Sequence, residues 1–336
     1  MPDTLYIRAD MNSEISTGHV MRCLSVADAA KRMGREAVFI TADDQPKDLI
    51  ESRGHRCIVL GSRWNDLENE IPALEKVISS EKAERLLIDH YSVTDEYLKK
   101  VNGLTGVIYL DDLKAFDYPV SGIACYAVYA EDYYRDKDPG KKYYLGCDYA
   151  PLREAFENAH PKKIKESPEN ILIMTGGSDP FDIAEKTLGA LALDEFRSVS
   201  VLCGRFSGKK EKLEALYGDH SNVHILPFAE RIWELYEETD VAISAGGSSL
   251  YELASMGVPV ITYSFADNQI PNVSSFDKKG FMPCAGDARA DDIYTNMAKL
   301  LDEFGSAAKR KEISEKLMKL VDGKGAERLA KALIED

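Results

Sequence analysis

The sequence predicts two α/β domains, each a parallel sheet covered by helices on both faces. Three observations carry that expectation. The 336 residues suit two domains of roughly 150 residues better than one core. Short apolar runs alternate with longer amphipathic segments, the pattern of strand–helix units joined by right-handed crossovers. The alternation stops once near the middle of the chain and then restarts.

In the first half, LYIRA (5–9) reads as a strand and GHVMRCLSVADAAKRMG (18–34) as a helix. AVFI (37–40), CIVL (57–60), RLLID (85–89) and VIYLDD (107–112) follow as strands, with helical patterns between them. Between about 113 and 160 the pattern weakens, and Tyr, Asp and Pro become frequent. HPKKIKESPEN (160–170) is polar, carries two prolines and reads as a linker. The expected domains are therefore 1–160 and 168–336. In the second, ILIMTGG (171–177) is a strand running into a glycine turn, and SVSVLCG, VHILPF, VAISAGG and PVITYSF are further strands, each trailed by a helix. From about Ala290 the chain is helical and charged, and this tail is assigned to the second domain, with a crossing back onto the first left open.

Composition removes several classes of function. A net charge of −15 speaks against nucleic acid as a partner, which needs a basic face. It leaves a nucleotide open, because backbone N–H groups at helix ends hold phosphates without net positive charge. The six cysteines lack the close spacing of a zinc site and read as free thiols of a reducing compartment. No basic start followed by an apolar run marks a signal peptide, and no stretch approaches the roughly 20 apolar residues of a membrane span. A cytoplasmic location is expected. Nothing specifies an oligomeric state, and a monomer is compatible with the chain.

Open parallel sheets bind ligands beyond the carboxyl ends of their strands, so motifs just after strands carry most weight. In S-A-G-G-S-S-L-Y-E (Ser244 to Glu252), Gly246 and Gly247 let backbone approach a ligand, and Ser248 and Ser249 open a helix as cap residues. Such a helix start suits a diphosphate. Glu252, four residues after Ser248, shares its face and can accept the two hydroxyls of a ribose. The plainer reading is an ordinary strand–helix turn with a solvated Glu. A second turn, M-T-G-G-S-D-P (Met174 to Pro180), places Gly176, Gly177 and Ser178 after a strand, with Asp179 and Pro180 at a helix start. Neither turn ends in Gly-Lys-Ser/Thr and neither is a GxGxxG, which disfavours phosphate-loop ATPases and nicotinamide enzymes. His19, at the first helical turn after strand one, is the candidate general base, held neutral by the positive helix end, or else a packing histidine. Asp89, Asp111 and Asp112 are either sugar-hydroxyl acceptors or strand-end turn formers.

The stretches R-A-D (Arg8 to Asp10) and G-H-V-M-R-C-L (Gly18 to Leu24) resemble the start of the UDP-sugar hydrolases of pseudaminic acid biosynthesis and the related spore-coat polysaccharide proteins. The resemblance continues, in the family's order, at L-I-D-H-Y (Leu87 to Tyr91), L-D-D, Y-A-P-L-R-E-A-F (Tyr149 to Phe156), T-G-G-S-D, S-A-G-G-S-S-L-Y-E and D-N-Q (Asp267 to Gln269). It implies two Rossmann-like domains of the GT-B type with a ligand cleft between them. It also implies metal-independent, inverting hydrolysis of UDP-2,4-diacetamido-2,4,6-trideoxy-β-L-altropyranose, with no cofactor and a UDP-sugar as the small-molecule partner. By motif, His19 is implied to activate water, Tyr91 and Asn268 to position sugar and water, and Ser249 and Glu252 to bind UDP. Asp10, Gly18, Arg22, Asp89, His90 and Asp112 in the first half, and Gly176, Gly177, Ser178, Gly247, Ser248 and Gln269 in the second, complete the implied binding set. The sequence departs from the pattern at Ser16, where many members have glycine, and at G-I-A-C-Y-A (Gly122 to Ala127), which lacks the expected asparagines. A transferase of the same fold, a non-hydrolysing epimerase and a non-catalytic nucleotide-sugar binder are the alternatives.

Overall fold

A computed structural model describes residues 4–335 except 13, 16, 178, 205, 206, 228, 230 and 291. The chain divides into two compact units, Met1–Glu154 with Gly323–Asp336, and Ala155–Asp322.

The first unit runs β1 (Thr4–Ala9), α1 (Gly18–Arg32), β2 (Glu36–Thr41), α2 (Lys47–Ser52), β3 (Arg56–Val59), α3 (Leu67–Glu81), β4 (Arg85–Asp89), α4 (Asp95–Leu104), β5 (Gly106–Leu110), β6 (Gly122–Cys125), α5 (Ala130–Tyr133) and β7 (Lys142–Leu145). All seven strands are parallel, in the order β3-β2-β1-β4-β5-β6-β7. The strands lie between helical layers, so they are apolar without alternation; Leu86, Leu87 and Ile88 of β4 are all fully buried. In α1 the buried residues Val20, Cys23, Leu24, Ala27 and Ala30 recur at helical spacing.

The second unit runs β8 (Asn170–Met174), α6 (Ile183–Ala190), β9 (Ser198–Leu202), α7 (Lys210–Tyr217), β10 (Val223–Leu226), α8 (Ile232–Glu238), β11 (Val241–Ala245), α9 (Ser249–Ser255), β12 (Val260–Ser264), α10 (Ile270–Lys278), β13 (Cys284–Asp287), α11 (Ile293–Glu303) and α12 (Ala307–Leu320). Its parallel sheet has the order β10-β9-β8-β11-β12-β13.

Three features differ from the sequence expectation. First, the weakly patterned stretch holds strands β6 and β7, and β13 lies beyond the strands expected in the second half. β6 and β7 are four residues each, and β13 pairs with a register shift, too little length for a period to show. Second, 160–170 is not a free linker. Lys162 Nζ donates to the carbonyls of Tyr236 and Glu237, Arg310 Nη2 donates to those of Lys165 and Glu166, and Asp240 accepts from the backbone of Glu169 and Asn170. The boundary therefore falls at 154/155. Third, the last helix, α13 (Gly325–Glu335), packs on α1 and on the 3₁₀ turn Cys147–Tyr149, so the end of the tail belongs to the first unit. Arg85 Nη1 donates to the Leu333 carbonyl and Arg328 Nη1 to that of Asp148.

Candidate functional site

In each sheet the chain changes direction once, between β1 and β4 and between β8 and β11. Ligands of open parallel sheets bind outside such switch points. In the first unit Asp89 ends β4, and the loops leaving β1, β4 and β5 carry Asp10, then His90 and Tyr91, then Asp111 and Asp112, while His19 and Arg22 face them from α1.

His19 is the second residue of α1 and is buried. Its Nδ1 lies 2.6 Å from Asp89 Oδ1. Asp89 is fully buried. Burial works to raise its pKa, but Arg22 and then His19 outweigh it and hold the carboxyl well below the usual range. An ionised carboxylate can only accept, so Nδ1 is the donor of this pair. Tyr91, 43% exposed, stands edge-on to the imidazole at 4.5 Å between ring centroids, and its hydroxyl donates to Asp112 Oδ2 at 2.9 Å. The second carboxylate oxygen of Asp112, Oδ1, is buried without a hydrogen-bond partner among the described residues.

Several residues expected to touch a ligand are instead engaged inside the protein. Arg22 forms a fork on Asp89, Nε to Oδ2 at 2.6 Å and Nη2 to Oδ1 at 2.5 Å, while Nη1 donates to Asp112 Oδ2 and to the Tyr126 hydroxyl. Its remaining N–H faces the Nδ1 side of His19. Asp89 is enclosed by His19, Arg22 and the Cys23 thiol. Asp10 is buried, its Oδ1 accepting from Ala42 N–H and its Oδ2 from Arg8 Nη1. Asp111 accepts from the N–H groups of Leu113 and Lys114 and from the hydroxyls of Tyr118 and Tyr134, the turn-forming alternative of its two readings. His90 is buried, its Nδ1 accepting from Ser92 N–H and its Nε2 3.6 Å from Asp10; burial and the nearby Arg8 charge push it down to about 4. A Cβ on Gly18 would meet no atom within 4 Å, so packing does not demand glycine at this helix start.

Beneath this cluster lies a pair that the sequence reading did not use. Arg8 and Glu70 are both fully buried, joined by two hydrogen bonds of 2.8 and 2.6 Å, and Glu70 also accepts from Tyr97 and Ser62. Removing either partner would strand a buried charge. The one sequence signal was an arginine in the middle of an otherwise apolar strand.

In the second unit the glycine turns follow neighbouring strands, β8 and β11. Gly176 adopts φ +78. A Cβ on Gly204, after β9, would lie 2.0 Å from the Gly176 carbonyl oxygen, so the backbone after β9 lies directly against the turn after β8. Ser178 lies outside the described residues. Asp179 does cap a helix, accepting from Ile183 and Ala184 N–H, but α6 begins only at Ile183. At the other turn, a Cβ on Gly246 would meet Val273 at 2.5 Å and Gln269 at 3.1 Å, whereas one on Gly247 would meet nothing. Gly246 thus serves the packing of α10, and Gly247 is the residue with an open side. Ser248 takes the N-cap position of α9 without a side-chain capping bond, contrary to expectation. The N–H groups of Ser248 and Ser249 carry no hydrogen bond among the described residues. Glu252 Oε2 accepts from the Tyr236 hydroxyl at 3.2 Å. Asn268 is exposed on the 3₁₀ turn Asp267–Gln269, and the Gln269 side-chain carbonyl accepts from Phe265 N–H, so Gln269 shapes the loop.

Residues 171–328 match the glycosyltransferase family 28 C-terminal domain. The spore coat polysaccharide biosynthesis protein SpsG of Bacillus subtilis is 26% identical over 98% of this chain and 97% of its own length. The UDP-2,4-diacetamido-2,4,6-trideoxy-beta-L-altropyranose hydrolase of Campylobacter jejuni is 26% identical over 82% of this chain and 96% of its own. The chain is a homologue of both. An uncharacterized protein of Methanocaldococcus jannaschii is 24% identical over 76% of this chain, which spans only 54% of that protein. Among solved structures, Acinetobacter baumannii MurG superposes with a TM-score of 0.71 at 14% identity, covering 99% of each chain. With the two parallel sheets, this makes the fold that of the GT-B glycosyltransferases.

Proposed function

We propose that this homologue of SpsG is a UDP-sugar-processing enzyme, and that it hydrolyses a UDP-sugar of the diacetamido-trideoxy-altrose type to UDP and free sugar. The observation that carries the reading is the His19–Asp89 pair. The carboxylate holds one ring nitrogen, and no hydrogen bond reaches Nε2 among the described residues. That is the arrangement of a general base oriented by a buried acid. The name of the Campylobacter relative supports hydrolysis in particular.

In this reading water attacks the anomeric carbon as the bond to the β-phosphate oxygen breaks. His19 Nε2 takes the water proton, and UDP leaves with the bonding pair. One displacement inverts the centre. The leaving phosphate needs no proton, so no carboxylate pair straddling the bond is required, unlike ordinary glycosidases. Gly247 with the N–H groups of Ser248 and Ser249 would receive phosphate oxygens, Glu252 the ribose, and Tyr91 and Asn268 would position sugar and water.

The test is UDP release from the diacetamido-trideoxy-altrose nucleotide in water, with chelator and without acceptor. Free sugar and UDP are expected. The His19→Asn variant should keep UDP affinity and lose about 10²- to 10⁴-fold in turnover. Normal turnover in that variant would remove the base assignment. The family 28 domain and the MurG likeness favour a second reading, a transferase. It requires turnover only when an acceptor is added.

A further inference from the structure

The fork from Arg22 onto Asp89 has a consequence for the imidazole that shares that carboxylate. An ionised carboxylate 2.6 Å from a histidine would by itself favour the imidazolium, by about 1–3 pH units for an opposite charge this close. An imidazolium cannot take a proton from water. Arg22 places a permanent positive charge on the same two carboxylate oxygens.

We infer that Arg22 is a positioning residue that keeps His19 in its uncharged, Nδ1-protonated form by sharing Asp89 with it, and that it binds no substrate. This rests on the reading of His19 as the base. Three observations carry it. The guanidinium is 11% exposed. Asp89, Asp112 and Tyr126 take four of its five N–H groups, and the fifth faces the imidazole. The carboxylate is fully buried, so solvent does little to screen the competition. The charged and titratable groups around the imidazole are Arg22 and Cys23 from α1, Asp89, His90 and Tyr91 at the end of β4, and Asp112 after β5, with Tyr126 beyond the arginine. The Cys23 thiol is held protonated by burial, and His90 stays neutral above about 4. Asp112 is tied to Tyr91 and Arg22. Arg22 is thus the one fixed positive charge against Asp89 in that set. The same side chain grips the partner of the Tyr91 hydroxyl, so it also sets the spacing of ring and phenol.

The experiment compares imidazole ¹⁵N spectra of the full chain and its Arg22→Gln variant at neutral pH. The chain has six histidines, and the His19 signals are those lost in His19→Asn. The parent should show a neutral ring protonated at Nδ1. Arg22→Gln should show the doubly protonated ring, and the acid limb of its kcat/KM profile should move up by about 1–3 pH units. A ring that stays neutral in Arg22→Gln, with an unmoved acid limb, overturns the inference. Should that variant not fold, Arg22→Met, which keeps the length of the stem without the charge, is read in the same way: a doubly protonated ring is expected, and a ring that stays neutral at neutral pH overturns the inference. The spectra need no substrate. A parent that releases no UDP therefore removes the hydrolase reading alone.

Discussion

Single side chains in the first unit divide into those that face outward and those consumed in holding them. Tyr91 is of the first kind, with the buried His19 edge-on to it, and Arg22, Asp89, Asp10 and His90 are of the second. The sequence placed five of the six at or just after a strand or at a helix start, and Arg22 one turn into that helix, but it could not tell a ligand's partner from a neighbour's partner. Hydrogen bonds between residues 67–70 apart made the distinction. His90 makes the cost of this internal wiring measurable. Its folded value near 4 lies below the ordinary 6.5, so between the two the unfolded chain binds more protons. The contribution is complete above about pH 6.5 and is lost as pH falls toward 4. Urea unfolding at several pH values should show roughly 3 kcal/mol of stability lost across this window. His90→Asn, which can still accept from Ser92 N–H, should lose correspondingly less. Equal losses in both proteins would show that another group controls the window.

At the scale of elements, the two adjacent glycines after β11 do different jobs. A methyl group at Gly246 would drive Val273 and Gln269 away and shift α10, so Gly246→Ala should cost about 1–3 kcal/mol in chemical denaturation. Gly247→Ala has open space and should leave stability nearly unchanged. If phosphate approaches this turn, Gly247→Ala should still weaken UDP binding by calorimetry, and unchanged affinity would place the diphosphate elsewhere. The glycine turns were legible because a strand ending in Gly-Gly before a helical pattern has few other uses. Strands β6, β7 and β13 were not, since the four-residue stretches Gly-Ile-Ala-Cys, Lys-Tyr-Tyr-Leu and Cys-Ala-Gly-Asp carry no period. Their strand character comes from neighbours already in the sheet.

For the whole molecule, the chain passes between its two compact units twice, at 154/155 and at 322/323. The second passage lets the final helix finish the first unit. Gly325 opens that helix, and a Cβ there would lie 2.2 Å from the Ala150 carbonyl oxygen, backbone that cannot move aside. Gly325→Ala should therefore loosen α13 from α1, costing about 2 kcal/mol or more, with faster hydrogen exchange in both helices and little change in the second sheet. Unchanged exchange in α13 would mean that the close approach is relieved locally. Among the described residues no helix is long and apolar enough to cross a membrane.

The sequence by itself determined the α/β class, the strands long enough to show an apolar run, the two glycine turns and the placing of His19 at the start of α1. These are local properties, written in periods and in residues whose backbone or capping chemistry acts within a few positions. Tertiary structure decided that His19 and Arg22 share the Asp89 carboxylate, that Arg8 and Glu70 pair in the core, and that the last helix returns to the first unit. Each of these depends on which distant group competes for the same donor, acceptor or face. That competition exists only once parallel strands far apart in the chain lie side by side.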